Sequence, residues 1–190
     1  MSLSKRHLFF AVLAIMVIGT FGIVVLNKLD ISSALDRLDQ NIQIDTTQHS
    51  EKSVIHLYFS DKENAYLTAE ERQLSHSNDP AEFGKTIIEA LMQGPQAGLM
   101  RTIPAGTGLR ALYVTPDGIA YVDVTAMIQD AHPGGIQSEL MTIYSIVNSL
   151  ILNIAKIDAV KILIDGRETL TLAGHIDLRL PFKANMLLIR

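Results

Sequence analysis

Nineteen consecutive residues without a charge, Leu8 to Leu26, stand behind Lys5 and Arg6 and ahead of Lys28. As a helix rising about 1.5 Å per residue, this run is roughly 28 Å long, close to the ~30 Å hydrocarbon core of a bilayer. It predicts a transmembrane helix. Two cations precede it and one follows. The positive-inside bias therefore expects residues 1–7 in the cytoplasm and the rest beyond an inner or cytoplasmic membrane, as a single-pass protein with an extracytoplasmic (periplasmic) C-terminal domain. The alternative is a cleaved secretory signal. Its apolar region would be unusually long, and Gly19-Thr20-Phe21-Gly22 is a poor small-residue cleavage site. Both readings put the remainder outside the cytoplasm.

Beyond the span, the chain is long enough for one domain with a sizeable core. With Lys5 and Arg6 set aside, the 16 basic residues fall to 14 against 20 acidic, a balance of −6. That offers no basic footprint for a phosphate backbone, so nucleic acid is not expected as a partner. The chain has no cysteine, which excludes disulfides, thiol chemistry and a lipid-modified cysteine. Residues 27–52 are polar and read as a stalk, with Leu35, Leu38 and Ile42 at helical spacing. A coiled-coil seam needs about three or four heptads, more than this segment offers. The domain is expected over residues 53–190.

Within it, Val54 to Phe59 is rich in β-branched and aromatic residues and predicts a strand buried on both faces, with His56 among apolar neighbours. Asp79-Pro80-Ala81-Glu82 is a helix start: Asp79 can cap, Pro80 suits the first turn, and Glu82 can reach back to the cap. Phe83, Ile87, Ala90 and Leu91 make one face until Gly94-Pro95 stops the helix. Leu109–Thr115 and Ile119–Val124 flank Pro116-Asp117-Gly118 and predict a hairpin. After Pro133-Gly134-Gly135, the residues Ile136, Leu140, Ile143, Val147, Leu150, Ile151 and Ile154 recur at helical spacing. Val160–Ile164 is the next strand, Asp165-Gly166 a turn, and a looser tail runs through Gly174-His175 to Pro181. The expected fold is a two-layer α/β domain, a mixed sheet with two main helices on one face, preceded by the transmembrane helix.

Chemical motifs are sparse. No zinc-protease, phosphate-loop, dinucleotide or serine-hydrolase pattern occurs, and the six histidines lack metal-ligand spacing. No cofactor and no metal are expected. An enzyme would have to assemble a site from Asp123, Asp165 and one of His56, His132 or His175. Four of the five have a plainer reading: Asp123 caps a short helix near Ala126 to Gln129, Asp165 is a turn residue, His56 a core histidine, and His132 a solvated loop residue. The connection Ile103-Pro104-Ala105-Gly106-Thr107 is small and kinked enough to cradle a ligand or to place the hairpin under the first helix. Leu99 and Met100 stand beside it as apolar loop residues. The candidate partner or ligand surface is therefore Leu99, Met100, Ile103, Pro104 and Tyr113.

The order of motifs carries a resemblance. Leu57-Tyr58-Phe59 before an acidic residue, Leu91-Met92-Gln93-Gly94-Pro95, Ile103 to Thr107, Ala120-Tyr121-Val122-Asp123-Val124-Thr125, Val147-Asn148-Ser149-Leu150 and Val160 to Gly166 resemble the GerMN domain of sporulation and spore germination, over roughly Val54 to Pro181. The resemblance implies an extracytoplasmic, membrane-attached module without established catalytic residues. In sporulating members it is similar in fold to ring-building domains of envelope assemblies, and other members accompany cell-wall amidases. This chain departs from the best-known members in its single copy, in a membrane helix in place of a lipidated cysteine, and in lacking an attached amidase.

Three functions are expected in turn. The first is a membrane-anchored, non-enzymatic cell-envelope protein that binds an envelope protein partner or its own copies, in sporulation or germination as the resemblance implies. The second is a peptidoglycan-binding module using the Ile103–Thr107 loop with Tyr113 or Tyr121. The third is a weak hydrolase in which Asp123 and Asp165 converge within about 10 Å.

Overall fold

The computed structural model describes residues 52–190. The span expected over 8–26, the cytoplasmic end and the stalk lie outside the described residues, except for Lys52, which opens the first strand. Among the described residues no helix is long and apolar enough to cross a membrane.

The elements run β1 (Lys52–Ser60), β2 (Leu67–Ser75), α1 (Pro80–Gln93), β3 (Leu109–Val114), β4 (Ile119–Val124), α2 (Met127–Asp130), α3 (Ile136–Ile151), β5 (Ala159–Ile164) and a single 3₁₀ turn, Met186–Leu188. The single mixed sheet expected from the sequence is corrected to two sheets. β3, β4 and β5 form the mixed one, antiparallel between β3 and β4 and parallel between β4 and β5, while β1 and β2 form a separate antiparallel hairpin. A parallel pair cannot be closed by a tight turn, so the chain crosses back through α3 between β4 and β5.

Register sorts the faces of the three-stranded sheet. Leu112, Val122 and Ile162 are paired in one row and buried to 1% exposure or less, whereas Tyr113, Tyr121 and Lys161 make the adjacent row on the opposite face. The first face joins Ile87, Ile88 and Leu91 of α1 and Ile143, Ile146, Val147 and Leu150 of α3 in the main core. Burying a side chain of this size contributes roughly 1.5–3 kcal/mol, so this shared core dominates the stability of the domain. The α1 start behaves largely as expected: Asp79 Oδ1 accepts the Ala81 N–H at 2.8 Å with Pro80 in the first turn, but Glu82 does not reach back and instead pairs with Lys85 at 2.7 Å.

β1 is exposed at Lys52, Val54 and His56 and buried without a break only from Leu57 on. Ile55, Leu57 and Phe59 enter the main core, and Tyr58 joins Leu67 and Met141 in a second, small cluster on the other face. His56 is corrected from core to surface: its side chain is 47% exposed and lies 3.5 Å from Glu71. The free edge of β1 is closed by side chains of α3 and of the turn after it, with one backbone bridge from Met100 at Ser60. The Tyr58 N–H donates to Ser149 Oγ at 3.0 Å, the His56 N–H donates to Asn153 Oδ1 at 3.0 Å, and Asn153 Nδ2 returns a bond to the His56 carbonyl at 2.8 Å. Asn148 does the same for the C-terminal segment, donating to the Asn185 carbonyl at 3.1 Å and accepting its N–H at 3.0 Å. The Val147-Asn148-Ser149-Leu150 motif therefore alternates core residues with side chains that substitute for strand backbone. Buried backbone groups need such partners.

Candidate functional site

The segment from Gly94 to Thr107 joins α1 to β3 and is held by polar contacts along its length as well as by Leu99 and Ile103 against the main core. α1 has no basic residue in its last turn. Its C-terminal carbonyls are satisfied from outside: Arg101 donates to the Met92 and Gln93 carbonyls, both at 2.6 Å, and Arg72 donates to the Gly94 carbonyl at 2.9 Å. These guanidiniums meet the orphan carbonyls and the negative end of the helix dipole together. Gly94 has φ +89, and a Cβ there would lie 2.5 Å from the Arg101 guanidinium, so the Gly94-Pro95 motif is needed both for the backbone turn and for the approach of Arg101.

Glu70 on β2 secures the next step. Its carboxylate accepts the Gln96 N–H at 2.8 Å and the Ala97 N–H at 2.7 Å and pairs with Arg72. Burial pushes the Glu70 carboxyl up, but the Ala97 and Gln96 N–H groups and Arg72 outweigh it and hold it below the ordinary carboxylate value. Further along, the Met100 N–H donates to the Ser60 carbonyl at 2.8 Å, the buried Thr102 hydroxyl meets Ser145 Oγ at 2.6 Å, and Thr142 donates to the Thr102 carbonyl at 2.6 Å.

Against α3 this loop leaves a cavity of about 140 Å³, walled by Met100, Ile103 and Pro104 on one side and by Asn64, Pro133 and Met141 on the other. Three of the five residues expected to form a partner surface therefore line one pocket. Met100 is 43% exposed at its rim, while Ile103, at 1%, is a core residue that shows only one wall. Leu99 packs half-buried against the main core and does not line the pocket. Tyr113 is elsewhere, 65% exposed on β3 opposite Tyr121.

Of the residues that an enzyme would need, the three histidines have partners of their own, Glu71 for His56, Thr142 for His132 and Glu139 for His175. Asp123 and Asp165 do converge, but on Arg110, whose Nε lies 3.1 Å from Asp123 Oδ2 and whose Nη1 lies 3.6 Å from Asp165 Oδ1. The expected helix cap is exchanged between the two: Asp123 Oδ1 accepts the Gly166 N–H at 2.7 Å, and it is Asp165 that accepts the Ala126 N–H at 3.3 Å beside α2. With φ +51 at Asp165 and +74 at Gly166, this turn needs an outside anchor, and Asp123 supplies it. Arg110 occupies the space between the carboxylates that a reacting group would have to enter.

His132 is half-buried, not a solvated loop residue. Its Nδ1 accepts the Gly134 N–H at 3.0 Å, which leaves the proton on Nε2, 3.1 Å from Thr142 Oγ1. Burial holds its pKa below the ordinary histidine value, against the pull of Glu139. Glu139 itself was not singled out by the sequence. It is fully buried on α3 and gathers the tail that reads as loose: Oε1 accepts the N–H groups of Leu172, Ala173 and Ile176 at 3.0, 3.0 and 3.1 Å, and Oε2 accepts His175 N and Nδ1 at 3.0 and 3.1 Å. Burial pushes its carboxyl up, yet the Ala173, Ile176 and His175 donors prevail and hold it low. A glutamate at the start of a helix after Gly-Gly looks like a dipole partner, so only the fold of the tail gives it this role.

Residues 56–170, more than half of the chain, match the sequence profile of the Germane family of sporulation and spore germination. The chain belongs to the Germane, or GerMN, family. Solved structures agree in fold. The first GerMN domain of the sporulation protein GerM from Bacillus subtilis is 23% identical with a TM-score of 0.57, over 70% of this chain and 97% of that one. The tandem GerMN domains of the same protein are 21% identical with a TM-score of 0.52, over 69% of this chain and 46% of that one, so this GerMN chain spans about half of the tandem. A candidate lipoprotein from Clostridium perfringens is 24% identical with a TM-score of 0.50, over 70% of this chain and 87% of that one. At these identities the likeness is one of fold. Comparison with the curated proteins gives no match.

Proposed function

We propose that this GerMN protein is a non-enzymatic module of a cell-envelope assembly, held in the membrane through Leu8–Leu26 with its domain on the extracytoplasmic side, and that it binds an envelope protein or a second copy through the 99–104 loop. The supporting observation is the pocket of about 140 Å³ with exposed Met100 at its rim on a loop pinned at both ends. A pocket of that size suits one partner side chain, and protein interfaces draw most of their energy from a few such anchors in preorganised pockets. The family description supplies the setting, sporulation or germination, and the Clostridium relative described as a candidate lipoprotein supports membrane attachment.

The test is light scattering and cross-linking on the detergent-solubilised full chain and on its membranes, with Met100→Glu against wild type. The expected result is a cross-linked complex lost, or weakened about tenfold or more, in the variant. An unchanged complex overturns the reading of this face. A second reading, peptidoglycan binding, is favoured by the cross-strand pair Tyr113 and Tyr121 on the sheet face away from the helices, since an exposed aromatic face can stack on a sugar ring. It requires the full chain to sediment with isolated peptidoglycan and Tyr113→Ala to stay behind.

A further inference from the structure

A second concave region lies apart from the 99–104 loop, where the β3–β4 turn, the start of α1 and the loop after α3 meet. One opening of about 620 Å³ is walled by Thr115, Pro116, Asp117, Gly118 and Asp158, and a neighbouring opening of about 470 Å³ by His76, Asn78, Phe83, Asn153 and Ile154. Pro80 and Lys156 line both, so the two are one groove with Lys156 at the join. Each opening falls within the ~300–1,000 Å³ range of small-ligand clefts.

The two ends differ in chemistry. Asp117, Asp158 and Lys156 in the first opening are exposed and have no salt-bridge partner within 4.0 Å among the described residues, as is common for surface charges; what sets them apart is that both signs line one opening. In the second opening, Phe83 at 4% exposure and Ile154 at 6% give an apolar floor, and His76 stands edge-on to Phe83 at 4.6 Å between ring centroids. The walls are fixed to one another: the Asp158 N–H donates to the Gly118 carbonyl at 2.8 Å, and a Cβ on Gly118 would fall 2.6 Å from Asp158 Oδ2, so the turn can approach that carboxylate only as glycine.

We propose that this groove binds a short peptide carrying both a free ammonium and a free carboxylate. The ammonium lies between Asp117 and Asp158, the carboxylate meets Lys156, and the aliphatic part rests on the Phe83–Ile154 floor. Two carboxylates and an ammonium lining one opening, beside an apolar surface, complement such a ligand in charge, and neither an uncharged glycan nor a purely anionic chain uses both signs. The site is independent of the protein-binding face above.

The test is a ligand-observed NMR titration of the detergent-solubilised full chain with the tetrapeptide Ala-Glu-Lys-Ala, free at both ends. Saturable binding is expected, weakened about threefold to fivefold by Lys156→Gln and by Asp158→Asn, as for exposed ion pairs, and unchanged by Glu63→Gln on the far β1–β2 turn. Acetylating the peptide amines should remove the effect of Asp158→Asn, and amidating its carboxyls that of Lys156→Gln. No saturable binding up to about 10 mM, or binding that ignores all of these substitutions, overturns the proposal. Both variants alter exposed side chains, so unchanged melting curves would show that lost binding is not lost fold.

Discussion

Glu70 and Glu139 solve the same problem at two places in the domain. Each is a buried carboxylate that gathers backbone N–H groups of a loop, residues 96–97 for Glu70 and 172–176 for Glu139. They differ in their cation. Glu70 faces Arg72, whose side chain is only 10% exposed, while Glu139 faces His175, which is 40% exposed. The Arg72 guanidinium is enclosed with its partner, whereas the His175 ring already has water on one side. The Glu70 site is thus the more committed of the two, and it also carries the frame of the 99–104 loop.

The largest effect is expected at Glu70. Glu70→Ala strands the Arg72 guanidinium in the interior and should cost about 3–5 kcal/mol in a denaturant titration. Glu139→Ala leaves four backbone donors and a histidine whose side chain is 40% exposed, with a tail free to open to water, and should cost less, about 2–3 kcal/mol. Equal losses would show that the cation does not set the difference. Gly94→Ala strains a φ of +89 and displaces Arg101, and about 1–2 kcal/mol is expected, read as a lower unfolding midpoint with an unchanged slope.

Acid sharpens the same comparison. Both carboxyls are held below their ordinary value of 4.5 in the folded state. Their stabilisation is therefore complete above that pH and is lost as pH falls through the depressed values. Equilibrium unfolding of wild type below pH 4.5 should lose stability steeply, and the slope should be shallower in Glu70→Ala and in Glu139→Ala. The smallest effect belongs to His132, whose folded pKa lies below 6.5. It stabilises fully above that pH, and the contribution fades as pH falls through the depressed value. His132→Gln should flatten the stability curve just below pH 6.5 and leave the steeper acid loss in place.

Much of the scaffold is legible from residues alone. Asp79-Pro80 starts α1 and Gly94 ends it, Pro116-Asp117-Gly118 closes the β3–β4 hairpin, and the apolar spacing after Gly135 makes α3. β2 is not legible because Glu70 and Arg72 break its alternation: they face inward, and their partners come from a loop more than twenty residues away. The His56 error has the same origin, since an apolar neighbourhood in sequence says nothing of which positions of a strand are covered. Within the candidate surface, the apolar and kinked run marks the loop at Met100, Ile103 and Pro104, but nothing in that run ties it to Asn64 or Met141 across the pocket.

The sequence by itself determined the family, through six short motifs in order, and the positions of helices and turns, because periodicity and turn chemistry act over a few residues. The tertiary structure alone decided that the strands divide into two sheets, that Ser149 and Asn153 close the edge of β1, that Asp123 and Asp165 meet on an arginine, and that Glu139 holds the tail. The last three of these are polar pairings between residues well apart in the chain. A buried donor or acceptor must find a partner, but no local rule says which one, and only the packed chain brings the two together.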